Sequence, residues 1–194
     1  MQELTEEQVL LGRKAIIRYC LIVVCTTAGY SMPIIIAPVR MAELDISGEV
    51  AGLTLALPYI IITPLLFFYD RIVLYFSLEN SIAMFGATFI LGSIGISLTM
   101  TVSNANAFVG MFVVFATING IAMGGLYCCE GMLMLQNSNK EDREKHNGFI
   151  KAANGIGAIL LPLIISVCVV ISGWWLCFVA IGAMLTISTP IAYF

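Results

Sequence analysis

Residues 44–71 read LDISGEVAGLTLALPYIIITPLLFFYDR. After the acids Asp45 and Glu49 comes an apolar run over 50–69, closed by the pair Asp70-Arg71. A helix rises about 1.5 Å per residue, so about 20 apolar residues cross the roughly 30 Å hydrocarbon core of a bilayer. This run has that length. It also lacks the apolar/polar alternation that a barrel strand of about ten residues requires. The stretch therefore reads as a membrane-spanning helix whose last turn meets an acid and a base, where solvated charge costs little.

The rest of the chain repeats this pattern. Of 194 residues, 60% are hydrophobic and only 11% charged, and the mean hydropathy is +0.98. So few charges cannot clothe a soluble domain of this size. Six segments qualify as spans, at 16–38, 50–69, 82–102, 107–129, 149–171 and 174–194. The expected fold is an all-α membrane protein with six transmembrane helices: a cytoplasmic-side segment over 1–15 and a six-helix domain over 16–194. The net charge of −3 and the absence of a basic, aromatic-interleaved patch argue against nucleic acid. The first apolar run is too long for a signal-peptide core, so it is expected to be retained. Cys20, Cys25, Cys128, Cys129, Cys168 and Cys177 fall within or at the ends of these segments without Cys-x-x-Cys spacing, which predicts apolar packing rather than metal or redox chemistry.

Charge placement predicts the orientation. Arg13, Lys14 and Arg18 stand before or at the start of the first segment, Arg71 follows the second, and Lys140, Arg143 and Lys145 join the fourth to the fifth, which Lys151 opens. All of these fall on one side, whereas Arg40 alone falls on the other, beside Glu43, Asp45 and Glu49. The positive-inside tendency then puts both termini on the cytoplasmic (or matrix-equivalent) side. The connection QNSNKEDREKHN over 136–147, with the single His146, is expected to be a solvated surface stretch. Residues 1–12 are either a short amphipathic helix or disordered. Because the last segment ends flush with TPIAYF, the chain reads as one half or one fragment of a longer bundle.

Three places carry a family resemblance that covers nearly the whole chain. After the second segment Asp70-Arg71 stands where a Gly-x-x-x-Asp-Arg-x-Gly-Arg-Arg signature would place it, with Leu66, Val73 and Leu74-Tyr75 replacing the glycines and the basic pair. The fifth segment, GFIKAANGIGAILLP, places Gly148, Gly157 and Pro162 at the spacing of a second signature, with Leu161 replacing its last glycine. In the fourth, Gly120 matches a conserved-type glycine, while Ala116 stands where an arginine is common. The chain thus resembles the amino-terminal six-helix half of a major facilitator superfamily transporter. That resemblance implies a 3+3 inverted repeat and alternating access. It also implies a gating role for Asp70 and Arg71 against a second six-helix unit, which a continuing chain, a homodimer or other subunits would supply.

The same resemblance implies a solute path lined by segments one, two, four and five. The polar residues near mid-membrane there are Thr26, Thr27, Tyr30 and Ser31, then Thr54, Tyr59 and Thr63, then Asn119 and Asn154. Hydroxyls and amides either orient a neutral or zwitterionic solute or bond to backbone and neighbouring helices. Glu130, at the inner end of the fourth segment, is expected to pair with Lys151 or Lys145, or else to couple protons. Pro33, Pro38, Pro58, Pro64 and Pro162 are expected to interrupt their helices, as transporters do beside a cavity. Trp174, Trp175 and Tyr193 fit an aromatic belt. No carboxylate pair, nucleophile arrangement, metal-ligand cluster or phosphate loop suggests an enzyme, a metal or a cofactor. Two functions remain from the sequence: a secondary transporter of a small solute, or a structural subunit derived from one inside a larger membrane complex.

Overall fold

The computed structural model describes residues 6–139 and 142–172. The sixth segment, with Trp174, Trp175 and Tyr193, lies outside them, as do the side chains of Tyr30 and Pro162. The described chain is helical throughout: α1 (Glu6–Glu43), α2 (Gly48–Ile62), a 3₁₀ turn (Thr63–Phe68), α3 (Tyr69–Phe76), α4 (Leu78–Met100), α5 (Ala105–Asn137) and α6 (Arg143–Ser172). Among the described residues, three stretches are long and apolar enough to cross a membrane: Gly48–Leu65, Leu78–Met100 and Ala105–Asn137. Residues 19–39 of α1 and 152–172 of α6 also carry no charged side chain.

Local chemistry explains most boundaries. Ser47 caps α2 by accepting a hydrogen bond from the Val50 N–H, and Asn104 caps α5 by accepting from Ala107. The α geometry of the second segment gives way at Thr63-Pro64, because proline has no N–H to bond back one turn. The segment therefore does not continue as one helix to residue 69 as expected. Asp70-Arg71 lies in the first turn of a separate short helix, α3, rather than at the last turn of the spanning helix. Ser77, at φ 70, then reverses the chain into α4.

Three other expectations are corrected. The α1 helix runs unbroken past residues 33 and 38, α2 past Pro58 and α6 past residue 162, so of the five prolines only Pro64 falls at a break. In α1, one lost N–H donor at each is carried by the flanking hydrogen bonds of a 38-residue helix. At its far end α5 continues to Asn137, and α6 begins at Arg143, so the solvated 136–147 connection shrinks to residues 138–142. Glu, Met, Leu and Gln all favour helix, which extends α5 beyond its apolar portion. His146 accordingly sits in the second turn of α6, buried, with Nδ1 2.7 Å from the Ser138 hydroxyl. It is not solvated.

The core is a seam between α4 and α5, where Phe85, Phe89, Ile96 and Met100 meet Phe108, Phe112, Met123 and Leu126. A second cluster joins α1, α5 and α6 through Ile16, Tyr19, Val23, Leu133 and Ile150. Small residues set the spacing of the seam. A Cβ at Gly92 would stand 2.7 Å from the Asn119 backbone nitrogen, and one at Gly95 or Gly125 would strike the ring of Phe115 or Phe85. Lipid gives no hydrophobic drive for helices to associate, so such close approach is what holds the pair.

The two ends of the bundle differ in charge. At one end Arg40 pairs with Glu43 at 2.7 Å and donates to the Val102 carbonyl, tying the last turn of α1 to the end of α4. At the other end lie Arg18, beside the bonded Tyr19, then Arg71, Lys151 and the start of α6. We call this the basic end.

Gly92→Ala should lower stability by about 1–3 kcal/mol, the usual cost of overpacking. Gly86→Ala, on the same helix with nothing within 4 Å of the added methyl, should not. Thermal unfolding of both variants in detergent checks this, and equal loss in the two would contradict the seam.

Candidate functional site

The candidate polar side chains gather at the basic end and along two helix contacts. At the basic end, α3 is fastened to α5 by adjacent residues. Tyr69, nearly fully buried, donates its hydroxyl to the Ile121 carbonyl at 2.8 Å and meets the edge of Phe85. Gly124 leaves room for that ring, since a Cβ there would stand 2.8 Å from it. Next to it, the Cys128 thiol donates to Asp70 Oδ1 at 2.9 Å. Asp70 also lies in the first turn of α3, where the helix dipole favours a carboxylate. Arg71 is exposed and has no ion pair among the described residues. Asp70 is thus positioned from α5, while Arg71 stays free to reach elsewhere.

Two residues further along α5, Glu130 is buried against α1 and α6. Its Oε1 lies 3.5 Å from Lys151 Nζ, while Oε2 is buried with no hydrogen-bond partner. Lys151 is 63% exposed at its side chain, so solvent screens much of the attraction. Nearby, Tyr19 donates to the Leu126 carbonyl at 2.6 Å, clamping α1 onto α5. A buried carboxylate oxygen without a partner has room in its hydrogen-bonding capacity for one further donor.

The mid-membrane candidates separate into distinct places. Thr27 donates to Asn154 Oδ1, joining α1 to α6. Thr26 bonds to carbonyls of its own helix, at Ile22 and Val23, and Thr54 and Thr63 do the same at Val50 and Tyr59. Tyr59 is about half exposed. Asn119, 1% exposed, lies within the α4–α5 seam, where its amide donates to Ser93 Oγ at 2.8 Å and to the Phe89 carbonyl. It faces packed side chains rather than an open surface, so it does not stand with Thr27 and Asn154. On α6, Gly148 is exposed with open space where a Cβ would project, and Gly157 is buried.

Several residues that do structural work here carry no warning in the sequence. Cys128 meets a carboxylate 58 positions away, and Tyr69 a carbonyl 52 away. Ser93 offered a weak signal, as part of the small-residue run GSIGIS over 92–97. Among the described residues no group of His, Cys, Asp or Glu is arranged to hold a metal ion.

Long apolar helices packed through small residues, with charge confined to their ends, define an integral membrane protein. The family model of the Major Facilitator Superfamily matches residues 19–194, and the chain belongs to that family. No curated protein and no solved structure matches it.

A double-mutant cycle on Asn119→Ala and Ser93→Ala should give a coupling of about 0.6–2 kcal/mol, the range for interhelical polar bonds in lipid. The cycle is read from reversible unfolding in mixed micelles. Additive losses would show that the bond contributes nothing.

Proposed function

We propose that this chain is the amino-terminal six-helix unit of a secondary transporter that moves a small solute by alternating access. The single observation that carries the reading is the family match, which extends over all but the first turns of the chain. In this reading the chain crosses the membrane six times as a 3+3 inverted repeat. Both termini lie on the cytoplasmic side, and the bundle rocks against a second six-helix unit around a midplane site.

The local geometry supports particular roles. Asp70 acts as the latch: its carboxylate is oriented by Cys128 and by the start of α3, and Arg71 is unengaged. The open face at Gly148 supports close approach of the second unit to α6. Thr27 with Asn154 forms the polar part of the solute path, and the half-exposed Tyr59 of α2 is a further candidate for it. Glu130, with its unpartnered oxygen, is the coupling carboxylate, and Lys151 is its counter-charge. The loss of the Gly-Arg-Arg half of the loop signature means that closure relies on Asp70 more than on a basic cluster.

The test is reconstitution of the chain with its second unit into vesicles loaded against a mixed pool of small metabolites. Saturable accumulation of at least one solute is expected, and Asp70→Asn should abolish it. No uptake, together with elution only in a stoichiometric set of other subunits, would establish the structural-subunit reading instead.

A further inference from the structure

A cavity of about 860 Å³ opens at the basic end, away from Thr27 and Asn154, between α1, α3, the first turns of α4 and the end of α5. Its lining divides by chemistry. Ile22, Val73 and Leu133 form an apolar wall, while Arg18, Glu79 and Gln136 supply polar groups. Arg18 directly precedes the uncharged stretch 19–39, so the cavity lies where the apolar span meets the polar end. Arg18 and Glu79 are both exposed, and among the described residues neither has an ion-pair or hydrogen-bond partner. One cation and one anion therefore line a single cavity without neutralising each other. The first turn of α4, which Ser77 leaves without a side-chain cap, lies on the same wall and adds free backbone N–H donors.

We infer that this cavity binds one phospholipid with a zwitterionic, hydrogen-bonding headgroup, phosphatidylethanolamine. The phosphate pairs with Arg18, the primary ammonium with Glu79, and an acyl chain covers Ile22, Val73 and Leu133. Guanidinium and phosphate form bidentate, charge-assisted hydrogen bonds, and the ammonium donates to the carboxylate in the same way. Phosphatidylglycerol offers no cation to Glu79. Phosphatidylcholine offers a cation that cannot donate a hydrogen bond. A soluble zwitterion would leave the apolar wall wet. The volume falls within the range of about 300–1,000 Å³ typical of small-ligand sites, enough for a headgroup and the start of its chains. The site stands apart from the solute path and does not depend on transport.

The test uses the full chain in detergent, supplemented with the three lipids carrying identical acyl chains, and reads the thermal unfolding midpoint and lipid retention by native mass spectrometry. Phosphatidylethanolamine should raise the midpoint above the other two and remain bound. Glu79→Gln should remove that excess and leave the response to the other two lipids unchanged, whereas Arg18→Gln should weaken the response to all three and Arg18→Lys should retain part of it. Both residues are exposed and unpaired, so the variants should fold. Equal stabilisation by all three lipids, a preference that survives Glu79→Gln, or an equal effect from soluble phosphoethanolamine would each overturn the proposal.

Discussion

Hydrocarbon holds no water to satisfy a backbone N–H or C=O, and the architecture of this chain follows from that constraint. Each crossing must close its own hydrogen bonds, which leaves helix as the form for continuous apolar runs such as 50–69. Once helical, the segments gain little from burying leucine against leucine, since lipid is as apolar as they are. Cohesion must come from close packing and from a few polar bonds. Gly92, Gly95 and Gly125 let α4 and α5 approach until backbone meets side chain, and Asn119 with Ser93 adds the polar bond inside that seam. Three further polar ties (Thr27 to Asn154, Tyr19 to Leu126, Tyr69 to Ile121) each join a different pair of helices.

The same constraint drives charge to the ends, and the two ends treat it differently. Arg40 and Glu43 close one end by pairing with each other. At the opposite end the charges are only partly matched. Glu130 has one oxygen unpartnered, and Asp70 is held by a thiol rather than a cation. Arg18, Glu79 and Arg71 have no partner among the described residues. A static bundle gains by neutralising such groups. Leaving them unsatisfied at one end, near joints such as the 3₁₀ turn and Ser77, suits a surface that changes partners as it moves.

Much of the helical content was legible because it depends on composition, which hydropathy reads directly. The existence and order of α1, α2, α4, α5 and α6 follow from uncharged stretches between charged borders. Where propensity and hydropathy disagree, the boundaries were misplaced. Glu130 ends the apolar run, yet the helix continues to Asn137 because the following residues favour helix and Lys151 stands opposite the acid. The separate helix α3 was hidden in the same way, since Asp70-Arg71 resembles the close of a spanning helix, whereas the helix geometry already changes at Thr63-Pro64. Prolines misled in the other direction, because α1 tolerates two of them. The site was less legible than the fold. Asp70, Glu130 and Lys151 stood out as charges in an oily chain. Cys128, Ser93 and Tyr69 act through partners dozens of positions away, which no local pattern encodes.

The central claim is that the helices thread the membrane with their cations gathered on one face. Single cysteines at positions 14, 45 and 145, with the native cysteines replaced, test it through an impermeant maleimide applied to right-side-out vesicles. Position 45 should label at once, and positions 14 and 145 only after the membrane is permeabilised. Labelling of 145 on the same side as 45 would contradict the threading and every role assigned to the basic end.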